Sequence, residues 1–90
     1  MNPKTKKSCL SRLGRIEGQV RGISRMIEDD RYCIDIMTQL QAVKAALKRV
    51  EDEILREHVS HCIADAMENG DTAEKHQKIE ELMEVVARLR

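Results

Sequence analysis

From Arg31 to Glu68 the sequence contains no glycine and no proline. Along this stretch Cys33, Ile36, Leu40, Val43, Leu47, Val50 and Ile54 return every three or four positions, and His58 and Cys62 continue the row by steps of four. That is the period of one face of an α-helix. At 1.5 Å per residue such a helix is roughly 55 Å long. A compact chain of 90 residues cannot cover so long an apolar stripe by itself. The simplest partner of equal length is a second copy, packed antiparallel.

Two shorter segments flank it. From about Thr5 to Glu28, Leu10, Leu13, Ile16, Val20, Ile23 and Ile27 mark one helix face. Gly14, Gly18 and Gly22 interrupt it at four-residue spacing, each costing about 1 kcal/mol relative to alanine. Their expected benefit is the close approach of another backbone or of DNA. Asp29-Asp30-Arg31 reads as a turn, with Asp30 as N-cap of the long helix. Asn69-Gly70 is a helix end, and Asp71 or Thr72, with Glu74, caps a third helix carrying Ile79, Leu82, Met83, Val86 and Leu89. The expected fold is all-α: a single domain over residues 1–90, three helices with one long central member, an antiparallel dimer and a dimer of dimers. Residues 1–6 are expected to form a flexible basic arm. Met26, Met37, Met67 and Met83 are read as core fillers.

Tyr32 is the one aromatic residue and glycines number 4, which argues against a sheet protein. No apolar run is long enough to cross a membrane, and Met1-Asn2-Pro3-Lys4 leads into a basic stretch unlike a signal peptide. Three cysteines, an odd number, suit a reducing cytoplasm with thiols left for metal or redox chemistry. The formal net charge is zero, yet residues 1–25 carry seven bases against the single acid Glu17. A basic end on a neutral chain suggests a polyanion partner such as double-stranded DNA, the alternative being a solvated basic helix face with no partner. Nothing resembles a helix-turn-helix. A flat basic face offering Arg12, Arg15, Arg21, Lys48 and Arg49, joined by Lys4, Lys6 and Lys7, would instead contact phosphates and read shape.

His58 and Cys62, four apart, share a helix face about 6 Å apart, a suitable spacing for two ligands of one ion. Cys33 lies 29 residues before Cys62. On one continuous helix their sulfurs would be roughly 43 Å apart. In an antiparallel dimer the start of one long helix meets the end of the other, so Cys33 of one protomer approaches His58 and Cys62 of its partner. Soft sulfur ligands select Cu(I) or Zn(II). A structural zinc site takes four ligands, whereas three suit Cu(I). Cys9 is read as a small residue on the first helix, with an auxiliary thiol as the sharper alternative. His61 and His76 are expected to be exposed and without a role. No oxyanion device or oriented base can be placed, so an enzyme is not expected.

Several segments resemble the copper-sensing repressor family CsoR: Asp30-Arg31-Tyr32-Cys33-Ile34-Asp35-Ile36, Thr38-Gln39-Leu40-Gln41-Ala42-Val43, His58-Val59-Ser60-His61-Cys62, and Arg12-Leu13-x-Arg15-Ile16-x-Gly18-Gln19-Val20-x-Gly22-Ile23. The likeness runs from about residue 6 to 88. A Cys, a His 25 residues on and a Cys four further is that family's Cu(I) fingerprint. The resemblance implies an all-helical dimer forming a tetramer, and a repressor that leaves its operator when Cu(I) binds, releasing copper efflux or chaperone genes. It implies Cys33 as ligand from one protomer and His58 and Cys62 from the other, with Tyr32 and Glu81 supporting them from behind. It places DNA contacts on the first helix and mid-way along the second, where Arg12 and Arg49 match best.

Related sensors differ at these positions. Nickel and cobalt sensors add a His near the N-terminus, and residues 1–8 here contain none. Formaldehyde sensors use an N-terminal proline amine, whereas Pro3 stands behind Met1-Asn2. Persulfide sensors keep both cysteines and lack the His; His58 counts against that reading, although two facing thiols can still join as a disulfide. A persulfide- or Ni(II)-responsive repressor is therefore the alternative within the fold. A copper storage or chaperone protein is the alternative outside it, and the basic first 25 residues argue against that.

Overall fold

The computed structural model describes residues 1–69 and 72–89, which form α1 (Pro3–Glu28), α2 (Cys33–Asn69) and α3 (Thr72–Leu89). The expected cap at Asp71 and the glycine of the Asn69-Gly70 stop lie outside the described residues. No strand occurs among the described residues, and no described helix is long and apolar enough to cross a membrane. The chain divides into two compact units, 1–55 and 56–90, and α2 contributes to both.

α1 begins two residues earlier than expected. Asn2 caps it, its Oδ1 accepting from the backbone N–H of Lys4 at 2.8 Å, and Pro3 occupies the first helical position. Proline suits that place because its missing N–H would have no partner there. Lys4, Lys6 and Lys7 consequently stand on the first two turns of α1, not on an arm.

The turn after α1 corrects the sequence reading. Asp30 does not cap α2; it ends α1 in the left-handed region, with φ 51°. The N–H of Arg31 donates to the carbonyl of Met26 at 2.9 Å, and that of Asp30 to Ile27 at 3.2 Å. These are the two bonds of a Schellman stop, which satisfies carbonyls the helix would leave open. α2 starts afresh at Tyr32, whose carbonyl accepts from Asp35 and Ile36 at 3.0 and 3.2 Å. An aspartate tolerates the left-handed conformation better than most residues, but glycine carries no Cβ penalty there. Asp30→Gly should therefore stabilise the protein by about 0.5–1 kcal/mol, part of the gain being offset by a freer unfolded chain. A thermal melt read by circular dichroism, shifting upward by a few degrees, checks this.

Unit 1 is a helical hairpin. Glu53 of α2 accepts from Ser8 Oγ at 3.1 Å and pairs with Arg12 Nε at 3.3 Å, which ties the early part of α1 to α2 far from the turn and sets the two antiparallel. The buried residues are Cys9, Ile16 and Ile23 on α1 and Val43 and Val50 on α2, with Ile36 and Ala46 packed against them. On each helix these fall seven apart, a single narrow seam. Cys9 is thus a core residue.

The next row on each helix is uncovered. Leu13, Val20 and Ile27 of α1, and Leu40, Leu47 and Ile54 of α2, keep between 38% and 58% of their surface exposed. Periodicity joins both rows into one stripe, but one helix can cover only one of them. Two methionines read as core fillers, Met37 and Met83, are also exposed; Met26 is half-buried, and the Met67 side chain lies outside the described residues. The glycines give a matching result: a Cβ built on Gly14, Gly18 or Gly22 would meet nothing within 4 Å. Among the described residues, none makes the close approach expected there.

In unit 2, Lys78 of α3 reaches Asp65 of α2. Leu82, Val85, Val86 and Leu89 are half-buried, while Ile79 and Met83 of the expected stripe are exposed.

Candidate metal centre

Cys33 is the first residue of α2 and is exposed, one heptad before Leu40 on the uncovered row of unit 1. Tyr32, beside it, keeps 68% of its surface exposed, so it is not a core residue. His58 and Cys62 lie in unit 2 on α2, His58 exposed and Cys62 half-buried. Helical geometry puts these two side chains on one face. Among the described residues of one chain, no three His, Cys, Asp or Glu side chains gather as a metal site would require. The donors therefore occur as a pair and a single, in different units.

The donor chemistry fits a soft, low-coordinate ion: free thiols at Cys33 and Cys62, and an imidazole at His58. Thiolate and imidazole favour Cu(I) or zinc over the hard cations. Glu81 is exposed on α3 and makes no hydrogen bond or ion pair with the described residues. His61 and His76 are exposed, as expected.

The structure adds two residues that sequence reasoning missed. Asp65 follows Cys62 by three and His58 by seven, so all three stand on one face of α2. Lys78 Nζ donates to Asp65 Oδ2 across from α3. The Lys78 pKa is raised, chiefly by this hydrogen bond; burial opposes the rise, and the charges of Asp65, Cys62 and Glu74 add to it. The i+3 spacing was the available signal for Asp65, whereas nothing in the sequence marked Lys78.

The basic residues divide by their partners. Arg12 pairs with Glu53, Arg21 with Glu17 at 2.9 Å, and Lys48 with Asp52 at 3.3 Å. The Arg21–Glu17 and Lys48–Asp52 pairs are exposed, contribute about 0–1 kcal/mol and leave their cations open to exchange for a phosphate. Arg15 and Arg49 are exposed and make no ion pair among the described residues.

Residues 5–88 match the family described as metal-sensitive transcriptional repressors. The chain belongs to this family. It is 51% identical over 82 residues to the copper-sensing transcriptional repressor CsoR of Bacillus subtilis, covering 91% of this chain and 78% of that protein. It is 48% identical over 84 residues to the copper-sensing repressor RicR of Mycobacterium tuberculosis, covering 93% of this chain and 86% of the relative. Its fold is similar to the crystal structure of CsoR with Cu(I) from Geobacillus thermodenitrificans, with a TM-score of 0.86 and 42% identity over 98% of this chain and 88% of that one. This repressor therefore has the three-helix architecture of the CsoR-type proteins, with no strand among its described residues.

Proposed function

We propose that this repressor is a Cu(I) sensor that holds operator DNA in the metal-free state and releases it when copper binds, derepressing copper efflux and homeostasis genes. The observation that carries the reading is the placement of the donors. Cys33 stands on an apolar row that its own chain leaves open, and His58 and Cys62 form a pair elsewhere on α2. An antiparallel second copy that covers the row brings a Cys33 to a foreign His58–Cys62 pair, giving two equal sites by symmetry. Bound Cu(I) would link two protomers through two thiolates and one imidazole. Tyr32 and Glu81, both exposed in one chain, are available to support the ligands, a carboxylate on the free imidazole nitrogen fixing its tautomer. The reducing cytoplasm, where free thiols persist, is the compartment such a site needs. Dimers would pair into a tetramer whose basic face takes the DNA.

On that face Arg12, Arg15, Arg21, Lys48 and Arg49 would contact phosphates, with Arg15 and Arg49 foremost because they make no ion pair among the described residues. Arg49→Ala and Arg15→Ala should each weaken DNA binding with little regard to sequence. Each should lower the slope of log affinity against log salt by about 1 for every phosphate that it leaves without a counter-charge. Fluorescence anisotropy across a salt series measures both.

The reading is tested by titrating the DNA complex, anaerobically, with Cu(I), Ni(II) and a persulfide donor. Release by Cu(I) at the lowest concentration supports it. Release by persulfide alone would make this a thiol sensor and His58 a structural residue. A copper-binding protein that never engages DNA would be a storage protein.

A further inference from the structure

We propose that the Lys78–Asp65 ion pair is a latch that carries the state of Cys62 to α3, making Lys78 and Asp65 positioning residues of the copper response. The inference rests on the copper reading above and names the α2–α3 connection within it. From Thr72 to Glu81 every residue of α3 is exposed except Lys78, which is half-buried. Its stem therefore lies against the protein while its ammonium reaches the Asp65 carboxylate. That carboxylate stands on the α2 face that also bears His58 and Cys62, one turn beyond the sulfur.

The carboxylate that fastens α3 to α2 thus stands beside the sulfur offered to the metal. A metal drawing on that sulfur shifts the face of α2 on which the carboxylate stands, and the ammonium that holds α3 must readjust. Glu81, the residue expected from sequence to draw α3 in, makes no hydrogen bond or ion pair with the described residues. Among the described residues, Lys78 does tie α3 to α2.

Lys78→Gln and Asp65→Asn, each in the full chain, are compared with the native protein. DNA affinity is measured by anisotropy without metal and at saturating Cu(I), and copper stoichiometry by anaerobic titration. In both variants the metal-free DNA affinity and the stoichiometry should match the native protein. The ratio of the two DNA affinities should fall about 2- to 5-fold, the scale expected for a half-exposed ion pair. Lys78→Arg should restore it. A purely structural role would lower the melting temperature and leave the ratio alone. Native release with an unchanged ratio in Lys78→Gln and Asp65→Asn would overturn the latch and spare the copper reading. A native protein that keeps its DNA at saturating Cu(I) would overturn both. Asp65→Asn, nearly the same shape as the native residue, keeps the test valid should Lys78→Gln fail to fold.

Discussion

A Cys33→Ser chain should bind operator DNA as the native protein does and keep it at Cu(I) concentrations that strip the native protein. Serine is close to cysteine in size but is a poor ligand for a soft ion. Residue 33 is exposed at the start of α2, so the fold loses little. Removing a group that merely supports a ligand already costs roughly 10- to 100-fold in metal affinity, so removing one of three ligands should cost at least about 100-fold. The same substitution tests whether the site is shared. Cys33→Ser and Cys62→Ser proteins, each inert alone, are mixed and allowed to exchange. A mixed dimer then holds one complete site and one lacking both thiols. Half of the dimers are mixed at random exchange, so roughly a quarter of a copper per chain should return. No recovery after demonstrated exchange would mean that Cys33 does not share a site with His58 and Cys62 of the partner.

Leu40→Glu should turn the assembly into monomers. Leu40 is 43% exposed in the single chain, at the middle of the row Cys33, Leu40, Leu47 and Ile54. If water covered that row, a glutamate there would change stability by no more than about 0.5 kcal/mol. If a second chain covers it, the substitution drives a carboxylate into an apolar interface at a cost of several kcal/mol, and two-fold symmetry applies the cost twice. Sedimentation should show a monomer, and copper binding should disappear with the dimer although no ligand has been touched. Gln41→Glu, one position along on an exposed residue, is the control and should change neither. A Leu40→Glu protein that remains a dimer would mean the uncovered row is not the interface.

The helices are legible because their apolar residues return with helical period over long stretches, as Leu10 to Ile27 and Ile36 to Ile54 do. The division of labour within a stripe is not. A 3.6-residue period cannot say that Ile16 and Val43 are buried while Val20 and Leu40 stay open; that depends on the register of α1 on α2, which Glu53 helps to fix through Ser8 and Arg12. Asp30 misleads because a short acid suits both a helix start and a left-handed helix stop, and the choice is made by Met26 and Ile27, which accept the two closing bonds. The pair His58 and Cys62 can be found by counting along one helix. Lys78 cannot, since its partner Asp65 stands on another helix across a turn.

The central claim is that Cu(I), held by two sulfurs and one nitrogen, takes this repressor off its DNA. X-ray absorption on the anaerobic, copper-loaded full chain, with anisotropy on upstream DNA from the same preparation, tests it most directly. One copper per protomer, a ligand set of two sulfurs and one nitrogen, and loss of DNA binding as the site fills are the predicted results. Copper held without that ligand set, or a filled site with DNA still bound, would contradict it.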